Sequence, residues 1–258
     1  MIRIAILTVF ILITGCARNG RDIRPELPVK KEFSKQEIIS ILQQRHAGLP
    51  DFTALIKVTL THKIKKSFFA KWKRQRRVNH IEGFDPFGGT LFDFREVRSA
   101  TSTYSKITLR SDQLEEDFKG DRAAFQRYIL KKVPESMRTP ISWMILFDWI
   151  AAGGLPDFSL PYYTVMDPQQ KTIVLNRSSD ANTIPFLAEK IFLDKKTLTV
   201  REVRLFDSNN VMGAQMIFRD YRSISHHSGS SQILFPFLTT IKGPHFKGEI
   251  AISEIKEI

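Results

Sequence analysis

Apolar and polar residues alternate along much of the chain beyond its N-terminal segment, and there the period changes in two helical stretches. From Phe52, one set (Phe52, Ala54, Ile56, Val58, Leu60) opposes another (Thr53, Lys57, Thr59, Thr61), with Leu55 as the exception. A period of two places each set on one face of a half-buried antiparallel strand. His62 to Lys66 turns the chain, and Phe68, Ala70 and Trp72 continue the alternation opposite Lys71 and Lys73. After a turn at Arg74–Arg77 come a short strand from Val78 to Glu82 and the loop Gly83–Gly89. Another strand from Thr90 to Arg95 carries Phe92 and Phe94 on one face, and Tyr104 to Arg110 follows. Consecutive strands with short connections predict a meander.

Helical signals precede and interrupt this pattern. Ser34 with Glu37 three residues on is a capping box, and Phe33 with Ile38 fits a hydrophobic staple. Ile38, Ile39, Leu42 and His46 form a narrow stripe that Gly48 and Pro50 end. Asp121 is the expected N-cap of a helix over Arg122 to Val133, and the apolar run Ile141 to Ala152, stopped by Gly153-Gly154, reads as a buried helix. Strands then return over Pro161–Met166, Thr172–Asn176, Phe186–Leu193, Thr199–Phe206, Met212–Tyr221, Ile233–Ile241 and Gly248–Ile255. Asp-rich turns, among them Asp207-Ser208-Asn209-Asn210, separate several of them. The order predicts an α+β fold, one curved antiparallel sheet over central helices. It leaves open whether the last third completes that sheet or forms a small lobe.

The N-terminus changes the picture of where this fold works. Arg3 precedes an apolar run from Ile4 to Ile13, about half the ~20 residues a spanning helix needs, so the run reads as a signal-peptide core. Ile13-Thr14-Gly15-Cys16 resembles the lipobox of bacterial lipoproteins, in which the Cys is acylated and becomes the first mature residue. Cys16 is the only cysteine in the 258 residues. Residues 17–31 hold Gly, two Pro and many charges, and read as a tether with a reach of roughly 20 Å. The chain thus divides into a signal peptide over 1–15, a lipidated Cys16 with its tether over 16–32, and one domain over 33–258. Ala17 after the cysteine, where an Asp retains enterobacterial lipoproteins at the inner membrane, implies a lipid anchor in the outer membrane facing the periplasm.

Export also bears on the charge. A net charge of +12 points to anionic partners. No acidic residue lies between Phe52 and Ile81, while Lys63, Lys65, Lys66, Lys71, Lys73, Arg74, Arg76 and Arg77 crowd the strand ends and turns. Outside the cell interior, nucleic acid is excluded as the partner. An anionic membrane surface or an acidic protein remains, beside the plainer reading of solvated strand edges.

The loop Gly83-Phe84-Asp85-Pro86-Phe87-Gly88-Gly89 has good turn chemistry, yet carries two large rings where water must solvate the backbone. Either the rings fold inward or they meet something apolar outside. Phe87 is the expected exposed tip. Phe84, nearer the strand, is expected to pack inward.

Three patches carry a resemblance. Phe68-Phe69-Ala70-Lys71-Trp72, then Asp85-Pro86-Phe87-Gly88 leading into Thr90–Phe94, then Trp149-Ile150-Ala151-Ala152-Gly153-Gly154-Leu155-Pro156 resemble the LolA/LolB-like lipoproteins. The likeness is greatest to the outer-membrane lipoprotein receptor family LolB. It implies an unclosed β half-barrel with an α-helical lid over its apolar concave face, holding the acyl chains of lipids or lipoproteins. It implies that Phe84, Pro86, Phe87 and Gly88 form a membrane-inserting loop. It also makes Ile56, Val58, Leu60, Phe68, Ala70, Trp72, Phe92, Phe94, Trp143, Ile145 and Trp149 candidates for the cavity wall. The partners it implies are membrane lipid or lipoprotein acyl chains and a periplasmic carrier or envelope-complex protein. A scaffold role for the same fold, with no lipid transfer, is the alternative.

Other chemistry is thin. Gly88-Gly89-Thr90 lacks the Lys-Ser/Thr of a phosphate loop and enters a strand. His226-His227 has no third ligand nearby for a metal. No serine elbow or spaced carboxylate pair appears, so neither catalytic residues, a metal nor a cofactor is expected.

Overall fold

The sheet owes its topology to one non-local pairing. The computed structural model describes residues 33–61, 65–98, 103–111, 114–132, 143–155, 164–166, 172–177, 188–207, 209–224 and 233–258. In chain order the elements are α1 (Lys35–Ala47), β1 (Phe52–Thr61), β2 (Lys65–Gln75), β3 (Val78–Phe84), β4 (Thr90–Arg98), β5 (Thr103–Ser111) and β6 (Leu114–Asp121). Then come α2 (Arg122–Lys132), α3 (Trp143–Ala151), β7 (Thr164–Met166), β8 (Thr172–Arg177), β9 (Ala188–Asp194) and β10 (Val200–Phe206). The last three are β11 (Met212–Ile224), β12 (Ile233–Lys242) and β13 (Lys247–Glu257). They form one 13-stranded sheet in the order β6-β5-β4-β3-β2-β1-β13-β12-β11-β10-β9-β8-β7. Every neighbour is a sequence neighbour except β1 and β13, which pair antiparallel from Phe52↔Glu257 to Thr61↔Lys247. The last third therefore completes the sheet. The sheet is unclosed, with β6 at one edge and β7 at the other.

Local chemistry sets the helices. Ser34 Oγ accepts from Glu37 N–H, and Glu37 Oε2 accepts from Ser34 N–H at 2.9 Å, so the capping box is made. Ile38 and Leu42 turn into the core. Asp121 Oδ1 accepts from Ala124 N–H at 2.7 Å and caps α2. Gly153 (φ +62°) and Gly154 (φ +78°) end α3 in the left-handed region. Gly154 N–H donates to Trp149 O and Gly153 N–H to Ile150 O, which satisfies carbonyls the helix leaves open.

Since α2 and α3 lie in sequence between the two sheet edges, the chain must cross from one edge to the other there. The rings show where the helices rest. Phe125 of α2 stacks on Phe94 of β4 at 5.1 Å, and Phe147 of α3 meets Phe94 edge-on at 5.5 Å. Gly153 and Gly154 lie against Phe235 of β12 and Phe218 of β11. Both wings thus pack the helical segment onto one sheet face, where the main core gathers Phe52, Ile56, Trp72, Leu146, Trp149 and Phe235.

β6 is an element the sequence pattern does not announce. Its segment, Leu114 to Asp121, is mostly charged because it is an edge strand with few residues to bury. The segments 1–32, with Cys16, and 225–232, with His226 and His227, lie outside the described residues.

Candidate functional site

Burial along the inner face changes from one end of the strands to the other. At the β1 N-terminal end the interior is filled by rings: Phe52 meets Trp72 at 5.1 Å and Phe235 at 5.4 Å, both edge-on. Ile56, Ala70, Trp72, Phe94 and Trp149 are buried there. Towards the other end the same face opens. Val58 and Phe68, paired across β1 and β2, are half-buried, as are Leu60 and Phe92. Phe68 and Phe92 meet edge-on at 5.5 Å. Ile145 of α3 is half-buried against the main core. The side chain of Trp143 lies outside the described residues. The other ten cavity candidates therefore divide into a sealed group and a partly open group.

The Phe84–Thr90 loop stands at the open end. Asp85 builds it: Oδ1 accepts from Phe87 N–H at 2.7 Å and Gly89 N–H at 2.9 Å. Gly88 N–H donates to Asp85 O, and Asp85 N–H to Gly89 O. Pro86 presets its φ, and Gly88 takes φ +89°, which a side chain would resist. The result is a fixed turn that holds Phe87 97% exposed. An unburied Phe forgoes roughly 1.5–3 kcal/mol, so this tip is the most conspicuous apolar exposure on the described surface.

Phe84 does not pack inward. Gly83, one residue earlier, faces the inner ring of Phe92, so alternation turns Phe84 to the outer face. There it pairs across β2 with Phe69, which is 56% exposed. The ring is half-buried against the outer sheet surface.

The basic run is not one patch either. Arg74 points inward: its Nε donates to Ala151 O at 3.1 Å, and its Nη1 to Pro50 O at 3.0 Å. It joins the ends of α1 and α3 to β2. Burial pulls its guanidinium below the ordinary value, with Asp51 acting the other way. Arg76 and Arg77 form the β2–β3 turn at the sealed end, whereas Lys65 and Lys66 lie at the open end.

A second polar link ties the helices to the sheet. Asp148 of α3 takes ion pairs from Arg98 of β4 and Arg122 of α2, and Arg98 also binds the fully buried Glu96 at 2.8 Å. Burial alone would lower the Arg98 guanidinium, but Asp148 and Glu96 outweigh it and hold it above its ordinary value.

Sequence reasoning reads Asp207–Asn210 only as a turn. The structure makes it a second copy of the Asp85 arrangement. Asp207 Oδ1 accepts from Asn209 N–H and Val211 N–H, each at 2.9 Å, and Asn210 takes φ +59° where Gly88 stands in the first loop. Val211 and Met212 beside it are 59% and 47% exposed. The spacing from the Asp to a residue that tolerates left-handed backbone, three positions on, is the signal both loops share.

No protein family's sequence model matches the chain, and no curated protein matches it in sequence. Solved structures do match in fold. A domain described as an outer membrane lipoprotein-sorting protein from Vibrio parahaemolyticus superposes with TM-score 0.56 at 14% identity, over 86% of this chain and 91% of that one. A LolA-superfamily protein from Nitrosomonas europaea gives 0.55 at 5% identity, over 88% and 94%. A DUF1329-family protein from Desulfovibrio piger gives 0.54 at 11%, over 85% and 90%. The unclosed antiparallel sheet with its helices is thus similar to the LolA-like fold.

Proposed function

We propose that the protein is a lipid-anchored envelope lipoprotein, placed in the outer membrane through Cys16, that takes acyl chains between the inner sheet face and the helices and delivers them to the membrane. The observation that carries the reading is the water-exposed Phe87, in a hydrogen-bonded turn at the end of the sheet where Val58, Phe68 and Phe92 are half-buried. The fold it shares with a lipoprotein-sorting domain supports the class of cargo, lipid or lipoprotein.

The mechanism needs no cofactor or nucleotide. Each CH₂ moved from water into the apolar face is worth about 0.8 kcal/mol. A chain already half-shielded at the open end can leave for the bilayer once that end meets it. Phe87 makes that contact because its burial in acyl chains recovers what its exposure forgoes. A periplasmic carrier would supply the cargo at the same end.

Phe87→Glu tests the reading. The variant is expected to keep its thermal transition, since the ring packs on nothing, and to lose transfer of a fluorescent lipid or acylated protein to vesicles. Transfer at the wild-type rate removes the membrane role of the loop.

A second reading rests on the sealed end. Phe52, Trp72 and Phe235 fill space that a long acyl chain would need, which favours a scaffold that uses the fold to bind an envelope protein. Native mass spectrometry separates the two: co-purified lipid supports the carrier, and a lipid-free protein that captures a periplasmic partner supports the scaffold.

A further inference from the structure

The registers place several loops at the same end of the sheet. Thr61↔Lys65, Lys242↔Lys247, Phe206↔Met212 and Phe84↔Thr90 are the terminal pairs of the β1–β2, β12–β13, β10–β11 and β3–β4 hairpins. Thr61 also pairs with Lys247, and Gln215 with Lys242, so these termini follow one another along a single rim. Taken in sheet order, the rim carries the Phe87 loop, then Lys65 and Lys66, then Lys242 and Lys247, then Val211 and Met212. All seven side chains are exposed. The carboxylates of Asp85 and Asp207 at the two tips are engaged by backbone N–H groups of their own turns.

We propose that the protein docks on an anionic bilayer with this rim down, through two apolar tips and the lysine band between them. The proposal rests on the reading that Phe87 meets the membrane, and adds a second anchor on the other wing, an orientation and a head-group charge. The chemistry favours a bilayer over a protein partner. Lysines are depleted from the cores of protein interfaces, and here four of them lie between the apolar contacts. A leaflet of anionic lipids satisfies both at once: acyl chains take Phe87, Val211 and Met212, while phosphates take the ammonium groups. Each lysine near such a surface contributes roughly a fivefold factor in binding.

The test uses the full chain with Cys16→Ser and one environment-sensitive fluorophore on Phe87→Cys, Met212→Cys or Lys196→Cys. Lys196 lies in the β9–β10 turn, at the opposite end of the sheet. The vesicles are phosphatidylcholine with or without phosphatidylglycerol. Circular dichroism checks the fold of each variant. Probes at 87 and 212 are expected to shift to the blue on phosphatidylglycerol vesicles, and the probe at 196 to stay aqueous. Reversing Lys65, Lys66, Lys242 and Lys247 to Glu is expected to raise the lipid concentration for half the shift at least tenfold. If 87 enters and 212 stays in water, the second anchor is wrong and the Phe87 reading survives. If neither enters, both fall. If 196 enters as well, the orientation is wrong. Equal insertion into pure phosphatidylcholine, indifferent to charge reversal, overturns the anionic part.

Discussion

Arg74 and Ala151 are joined by a hydrogen bond from the guanidinium of a strand to the last carbonyl of a helix. The same side chain also reaches Pro50 O beyond the end of α1, so one half-buried group holds two helices to the sheet. Arg74→Leu leaves these carbonyls without their donor and is expected to cost about 2–4 kcal/mol. Arg74→Lys is expected to restore only part of this, because one ammonium lacks the planar fork. Urea midpoints of the two variants check both statements.

Gly83 sets how closely the Phe92 ring approaches β3. A Cβ there would stand 2.2 Å from Phe92 Cε1. Gly83→Ala must push Phe92 off its contact with Phe68, at a cost of about 1–3 kcal/mol. Pairing it with Phe92→Leu should recover part of the loss, as a double-mutant cycle in thermal unfolding would record.

Asp148 stands between two arginines from different elements. Asp148→Ala leaves Arg98 and Arg122 facing each other, and a loss of about 1–3 kcal/mol is expected for these partly exposed pairs. Adding Arg122→Ala should cost less than it does in the wild type. Hydrogen exchange in α2 and α3, measured on Asp148→Ala, should quicken before exchange in β1.

Asp194 makes stability depend on acid. Burial would raise its carboxyl, but N–H donors from Thr197 and Lys196, together with Arg201, outweigh it and hold it below the ordinary value. A depressed carboxyl contributes stability above its unfolded pKa of about 3.9, and that contribution fades as pH falls through the lower folded value. Asp194→Asn is expected to flatten the stability profile between pH 5 and 2, relative to wild type.

Much of the fold is legible from residue order because its signals are local. The alternation around Ile56 and Trp72, the Ser34–Glu37 box and the Gly153-Gly154 stop each depend on near neighbours. What was hidden depends on distant ones. Arg74 sits in the run Arg74-Gln75-Arg76-Arg77, and nothing there distinguishes the residue that turns inward. Phe84 is read wrongly because its side follows from Gly83 facing Phe92, a cross-strand fact. Val211 and Met212 look like any strand start until the registers bring their hairpin to the rim that carries Phe87.

The β1–β13 pairing has a consequence in time. Hairpins within each wing can form as soon as their residues are available, but the joint between the wings waits for Lys247–Glu257. Loop closure over such a separation is slow compared with hairpin formation. A chain made N-terminus first therefore holds the β13-facing edge of β1 unpaired until the segment near residue 257 has emerged. During that interval Phe125 and Phe147 can already cover Phe94 of the first wing, so the open edge of β1 is what remains, and a chaperone that binds unpaired strand edges has its opportunity then and not later.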